Sequence, residues 1–131
     1  MTIVIDASAV AAALTDRGAD GDWARAQVAQ TDLAAPSHMF VEVSNVLRRS
    51  VLSGWLGRDV AALAHDDLVQ LQVSVFPFEP LAARVWELHP SVTPYDAGYV
   101  ALAEALDVPV MTLDRRLARA SGPACDFLLP S

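Results

Sequence analysis

The chain is predicted to fold as a three-layer α/β/α sandwich around a central parallel sheet, a single domain over residues 1–131. Three observations lead there: short β-branched runs alternate with helical patterns, the links between them are brief, and two runs, Ile3-Val4-Ile5 and residues 108–113, are almost continuously apolar. Alternation with short links implies crossover units and parallel pairing. Strands covered on both faces lose the in–out alternation of a half-exposed sheet. A chain of this length buries roughly two-thirds of the surface its unfolded form exposes, enough for a core without staples.

Residues 2–5 read as a β-branched strand ending at Asp6, and residues 7–14 as an alanine-rich helix. A polar break from Asp16 to Gly21 precedes a second alanine-rich helix over 22–30. Leu33-Ala34-Ala35 is a brief apolar run stopped by Pro36, and Ser37 is placed to cap a helix over 38–52. Gly54 and Gly57 punctuate before a helix over 58–70. Val73-Ser74-Val75-Phe76 resembles a buried strand stopped by Pro77, and residues 81–88 are helical. The clearest helix covers 94–106, with Thr93 as N-cap and Pro94 at the first helical position. A strand over 108–113, a short helix over 114–120 and a last strand over 126–129 complete the chain.

Composition narrows the function classes. Apolar residues make up 53% and charged residues 19%, which excludes a disordered or linker protein. The longest uncharged stretches, such as residues 68–78, fall well short of the ~18 apolar residues a membrane span needs. The first apolar run has no basic flank, so no secretory signal is expected. Cys125 is the only cysteine, so no internal disulfide can form, and a soluble cytoplasmic domain without membrane contact is expected. Sixteen acids face nine basic residues, all arginine, for a net charge of −7. That sign argues against broad nonspecific binding to nucleic acid. With no lysine, a phosphate-cradling P-loop and Schiff-base chemistry are both excluded.

Four acids stand out, two of them where an open parallel sheet collects ligands, beyond the carboxyl ends of its strands. Asp6 follows the first strand and Asp114 the 108–113 strand, and each is equally suited to capping the helix that follows. Asp96 sits three residues after Thr93, where a relative of the capping box accounts for it on its own. Glu42 is harder to explain structurally. On a helical wheel Met39, Phe40, Val43, Val46, Leu47, Ser50 and Val51 form the buried stripe, and Glu42 falls at its Met39–Val46 edge. A carboxylate there needs a partner or a metal, with Arg49, two turns on, as the bland alternative. Carboxylates brought together repel unless a cation sits among them. An oxygen-only set points to Mg²⁺ or Mn²⁺ rather than zinc. His38, His65 and His89 lack paired spacing and are read as solvent-facing or capping. A carboxylate-held cation mostly serves phosphoryl chemistry, activating water and neutralising charge on phosphate. Arg115, Arg116 and Arg119 beside Asp114, and Arg48 and Arg49 at the end of the Glu42 helix, could hold a phosphate backbone or simply face solvent. Ser8 and Thr112, next to the strand ends, could hydrogen-bond a carboxylate or serve as ordinary turn and strand residues.

Four segments now stand in order: Val4-Ile5-Asp6-Ala7-Ser8, Val41-Glu42-Val43-Ser44-Asn45-Val46-Leu47-Arg48-Arg49, Thr93-Pro94-Tyr95-Asp96-Ala97, and Met111-Thr112-Leu113-Asp114-Arg115-Arg116-Leu117. In sequence and spacing they resemble the PIN-domain family, and most of all its VapC-type toxins of bacterial toxin–antitoxin pairs. The resemblance implies a parallel α/β/α fold and a Mg²⁺- or Mn²⁺-dependent endoribonuclease. Its catalytic and metal-binding quartet would be Asp6, Glu42, Asp96 and Asp114, supported by Ser8, Asn45 and Thr112. It also implies an RNA substrate, a cognate antitoxin as protein partner, and a homodimer.

Other readings remain open at this level. A phosphoaspartate receiver shares the topology but relies on a lysine that this chain lacks. A non-catalytic α/β interaction module would use the acids only as caps, and a nuclease of the same chemistry could act on structured DNA or in RNA processing. For dimer or antitoxin contacts, the helices around residues 24–29 and 61–71 are the expected surfaces, with Trp23 and Trp55 as anchors unless both are core.

Overall fold

The computed structural model describes residues 1–131. Five parallel strands, β1 (Thr2–Ile5), β2 (Asp32–Pro36), β3 (Ser74–Phe76), β4 (Val110–Met111) and β5 (Phe127–Leu128), form one sheet in the order β3-β2-β1-β4-β5. Seven helices join them: α1 (Ala7–Thr15), α2 (Ala19–Gln30), α3 (Met39–Leu52), α4 (Arg58–Gln70), α5 (Ala82–Glu87), α6 (Pro94–Leu106) and α7 (Arg115–Ala118). One layer is built from α1 to α4 packing on one another, and the other from α5 against α6, which crosses β1, β2 and β4. The chain winds outward from β1 through β2 to β3, then returns to the other side of β1 for β4 and β5. This reversal puts the switch point between β1 and β4, where a crevice opens at the strands' carboxyl ends.

Ile3, Val4 and Ile5 on the central strand have no exposed surface, and they join one apolar core with Met39 and Val43 of α3 and Leu102 of α6. The α6 helix is apolar nearly all round, with Ala97 to Ala103 all buried, so it is a core helix rather than an amphipathic cover.

Several expected boundaries shift. The polar break yields a helix from Ala19, not residue 22, because the chain turns back tightly there: a Cβ on Gly21 would lie 1.9 Å from the Asp16 carbonyl oxygen. Ser37 caps nothing. Its backbone N–H donates to the Phe76 carbonyl, extending the β2–β3 ladder, and His38 takes the N-cap position of α3 without a side-chain cap bond. The sequence predicts a buried β3, but β3 is the sheet's outer strand and Val75 is exposed. The 108–113 strand shrinks to two residues, since Pro109 has no N–H to donate and only its carbonyl enters the ladder, accepting from Val4. The short helix over 114–120 likewise reduces to α7, with Asp114 as its N-cap. No helix is long and apolar enough to cross a membrane.

Candidate active site at the carboxyl edge of the sheet

Asp6 follows the last residue of β1 and lies 4% exposed, its backbone N–H donating to the Met111 carbonyl of β4 at 3.1 Å. Both oxygens of its carboxylate are engaged: Oδ1 accepts from Ser8 Oγ at 2.6 Å and from the Ala9 N–H at 3.0 Å, and Oδ2 accepts from the Thr112 hydroxyl. The Ala9 bond makes Asp6 the N-cap of α1, so the capping and site roles coincide. Ser8 Oγ also accepts from the Leu113 N–H and Thr112 Oγ1 from the Asp114 N–H, at 3.0 and 2.9 Å. Two hydroxyls thus stitch the ends of β1 and β4 together beneath the acids.

Asp114 caps α7, its Oδ1 accepting from the Arg116 and Leu117 N–H groups. Thr93 caps α6 by accepting the Asp96 N–H at 3.3 Å, leaving the Asp96 carboxylate without a capping duty of its own. Asp96, Asp114 and Arg116 line one cleft of about 310 Å³ together with Ser91, Val92, Thr93, Leu117 and Ala120. Glu42, half-buried on α3, accepts from the Tyr99 hydroxyl at 2.8 Å and stands 3.2 Å from His38 Nε2, both through Oε1. The alternative pairing with Arg49 does not form; Arg49 and Arg48 are exposed and Asn45 makes no side-chain hydrogen bond.

The electrostatics follow from this crowding. Burial raises the Asp6 carboxyl to about 6, against the opposing bonds from Ser8, Thr112 and Ala9, with the charge of Asp96 adding to the rise. Asp96 is raised first by burial and then by the charges of Asp114 and Glu42. Tyr99 is held in its neutral, donating form by burial and by Glu42. Asp96 therefore interacts with each of the other three acids, although no three of the four close into a coordination set. The donor set suits Mg²⁺ or Mn²⁺: it is all carboxylate, with hydroxyls behind it, and the only imidazole near it has its Nε2 committed to carbonyl and carboxylate acceptors. Cys125 lies elsewhere, in a hollow against Glu104, and burial pushes its thiol up to about 11, which suits neither a nucleophile nor a ligand.

The arginines divide. Arg116 reaches the cleft, whereas Arg115 donates from Nη2 to the Pro130 carbonyl at 2.7 Å and holds the C-terminal segment. Arg119 is exposed past the end of α7. Two residues of the site go beyond the sequence reading. His38 reads there as solvent-facing or capping, yet it lies beside Glu42; its spacing of four residues from that acid is the available signal. Tyr99 is one turn beyond Asp96 on a buried helix, where a tyrosine hydroxyl requires a partner.

A parallel α/β/α sandwich with carboxylates gathered beside its switch point is an architecture suited to divalent-cation chemistry on phosphate. The chain belongs to the PIN-domain family, whose sequence model matches residues 3–123. It is 42% identical over 127 residues to Ribonuclease VapC1 of Mycobacterium tuberculosis, covering 96% of each chain. In fold it is similar to the crystal structure of M. tuberculosis VapC20, described as a sarcin-ricin loop cleaving toxin, at a TM-score of 0.70 and 19% identity over 89% of this chain and 93% of that one. It is likewise similar to VapBC2 of Rickettsia felis, solved bound to a DNA fragment from its promoter, at a TM-score of 0.69 and 11% identity over 98% of both chains.

Proposed function

We propose that this chain is the toxin of a VapBC-like pair, a Mg²⁺- or Mn²⁺-dependent endoribonuclease that hydrolyses RNA phosphodiester bonds in the cytoplasm. The observation that carries the reading is the acidic edge itself: Asp96 is close enough to Asp6, Glu42 and Asp114 to interact with each, beside a cleft that also presents Asp114 and Arg116. The likeness to a ribonuclease over nearly the whole chain supports it. A divalent cation bound by those acids would acidify an attacking water and offset the charge that builds on phosphate.

The chain's own residues have separate tasks. Asp6 is fixed by three donors and so presents its remaining lone pairs in one orientation. Glu42 is fixed through Oε1 alone, which leaves Oε2 without a protein donor. Asp96 and Asp114 form one wall of the cleft, and the planar guanidinium of Arg116 suits a phosphate oxygen entering it. Hydrolysis adds water across one P–O bond, leaving a phosphate on one fragment and a hydroxyl on the other.

An antitoxin partner and a homodimer belong to the same proposal. Trp55 is 87% exposed, and Leu52, Leu63 and Val69 on the same helical hairpin are also largely exposed, which leaves apolar side chains there for a protein partner to cover. Trp23, by contrast, packs partly buried against the core, so Trp55 is the better anchor. The decisive experiment incubates the purified chain with total RNA in Mn²⁺, Mg²⁺ or chelator and maps fragment ends by sequencing. Discrete cuts that need the cation and disappear in Asp96→Asn support the proposal. Cuts that persist in chelator, or an Asp96→Asn protein as active as wild type, would refute it.

A further inference from the structure

His38 links Glu42 to the backbone immediately before Asp96, an acid that lies 54 residues further along the chain. Its Nε2 lies 2.9 Å from the Tyr95 carbonyl oxygen and 3.2 Å from Glu42 Oε1. Both neighbours are acceptors, so Nε2 carries the hydrogen and donates between them. Tyr95 immediately precedes Asp96 in the first turn of α6, and Glu42 is one turn into α3. One imidazole N–H therefore bridges the carboxylate from one helix to the backbone that carries the carboxylate of another.

The ring's position is determined on every side. It meets Tyr99 edge-on with centroids 5.0 Å apart and Tyr95 at 6.2 Å. Beneath it is Gly98, where a Cβ would come within 2.6 Å of His38 Cε1. Glycine is otherwise a poor choice inside a helix, costing stability relative to alanine, and here its missing side chain is the space the imidazole occupies. Tyr99, from the same turn of α6, supplies the second donor to the same Glu42 oxygen. Both donors converge on Oε1, so the carboxylate cannot rotate freely and Oε2 is the oxygen left for a ligand.

We propose that His38, seated on Gly98 and seconded by Tyr99, is a positioning residue that sets the spacing and orientation of the Glu42 and Asp96 carboxylates for the divalent cation. The inference rests on the cation-dependent nuclease reading above. Groups that orient metal-binding carboxylates typically change metal affinity by about 10–100-fold when removed.

The test measures Mn²⁺ binding by titration calorimetry on the isolated chain, independently of cleavage, for His38→Ala, His38→Gln and Gly98→Ala. His38→Ala should weaken Mn²⁺ binding about tenfold or more, and His38→Gln, whose amide N–H can reach the same acceptors, should recover most of it. Gly98→Ala should match His38→Ala although it alters no polar group, because it displaces the ring. At saturating Mn²⁺ the KM for RNA should stay within about twofold of wild type while kcat falls, the split expected of a residue that acts on the cation's ligands. Circular dichroism on each variant identifies any that does not fold, and the calorimetric comparison is then carried by the remaining one of His38→Ala and Gly98→Ala. Unchanged Mn²⁺ affinity in a folded His38→Ala or Gly98→Ala protein overturns the inference. A wild-type chain that binds no Mn²⁺ and cuts no RNA would instead overturn the nuclease reading beneath it.

Discussion

Replacing Asp6 by asparagine removes a charge from the centre of the molecule while keeping the side chain's shape, and it separates the needs of the fold from those of the site. Burial lifts the Asp6 carboxyl from its ordinary 3.8 to about 6. A folded-state value above the unfolded one means that the fold favours the protonated acid. That contribution is fully present below about pH 4 and is lost as the pH rises through about 6. At pH 7.5, in chelator, the wild type therefore carries a penalty of about 3 kcal/mol for holding Asp6 ionised. The Asp6→Asn variant would escape it but return about 1 kcal/mol, because its NH₂ faces a hydroxyl that donates in the wild type and must turn to accept. The net gain is about 2 kcal/mol, or roughly 5–10 °C in Tm for a domain of this size. Calorimetric melts of both proteins in chelator at pH 7.5 and pH 4 measure it. The gain should be present at the higher pH and be replaced at the lower, where Asp6 is already neutral in the fold, by a deficit of up to about 1 kcal/mol from the turned hydroxyl. A variant no more stable than wild type at pH 7.5, or one whose advantage is the same at both pH values, would refute the reasoning. The same substitution should abolish cation-dependent RNA cleavage.

Two further outcomes follow from the arginines. Arg84 donates from Nε and Nη2 to the Glu104 carboxylate at 2.7 and 3.1 Å and from Nη2 to the Gly122 carbonyl at 2.9 Å, so Arg84→Ala should cost about 1–2 kcal/mol in urea denaturation. The hydrogen bond from Arg84 holds Glu104 below the usual carboxylate range, so this cost should be present above about pH 4.3 and fade as the pH falls further. Arg116→Ala should raise the KM for RNA severalfold with little change in Tm, whereas Arg115→Ala should lower Tm by freeing the segment around Pro130 and leave KM near wild type. Identical effects of the two substitutions on KM would remove the distinction drawn between them.

The layered α/β plan was legible because continuous apolar strands and capped helices leave strong local patterns. Residues 2–5 and 94–106 are found as read, since β-branched residues and a Thr-Pro start each act over a few positions. The errors lie where distant chain decides. Nothing near Ser37 says that Phe76 will claim its N–H, and nothing in residues 73–76 says that no strand will lie beyond them. The positions of Asp6 and Asp114 followed from topology, because strand ends in a parallel sheet share one edge, whereas Glu42 and Asp96 come from helices and were grouped with them through the family resemblance. The network that orients them was only half legible. His38 is one helical turn from Glu42, but its second partner, the Tyr95 carbonyl, and the glycine that makes room for it come from a different helix.

Both borders of the sheet are very short, three residues in β3 and two in β5, and Pro77 follows the former directly. So little unpaired main chain is a poor template for another polypeptide to extend strand by strand. A protein partner would therefore grip side chains rather than add a strand at either border, and a protein stored at high concentration gains resistance to edge-to-edge polymerisation from the same economy.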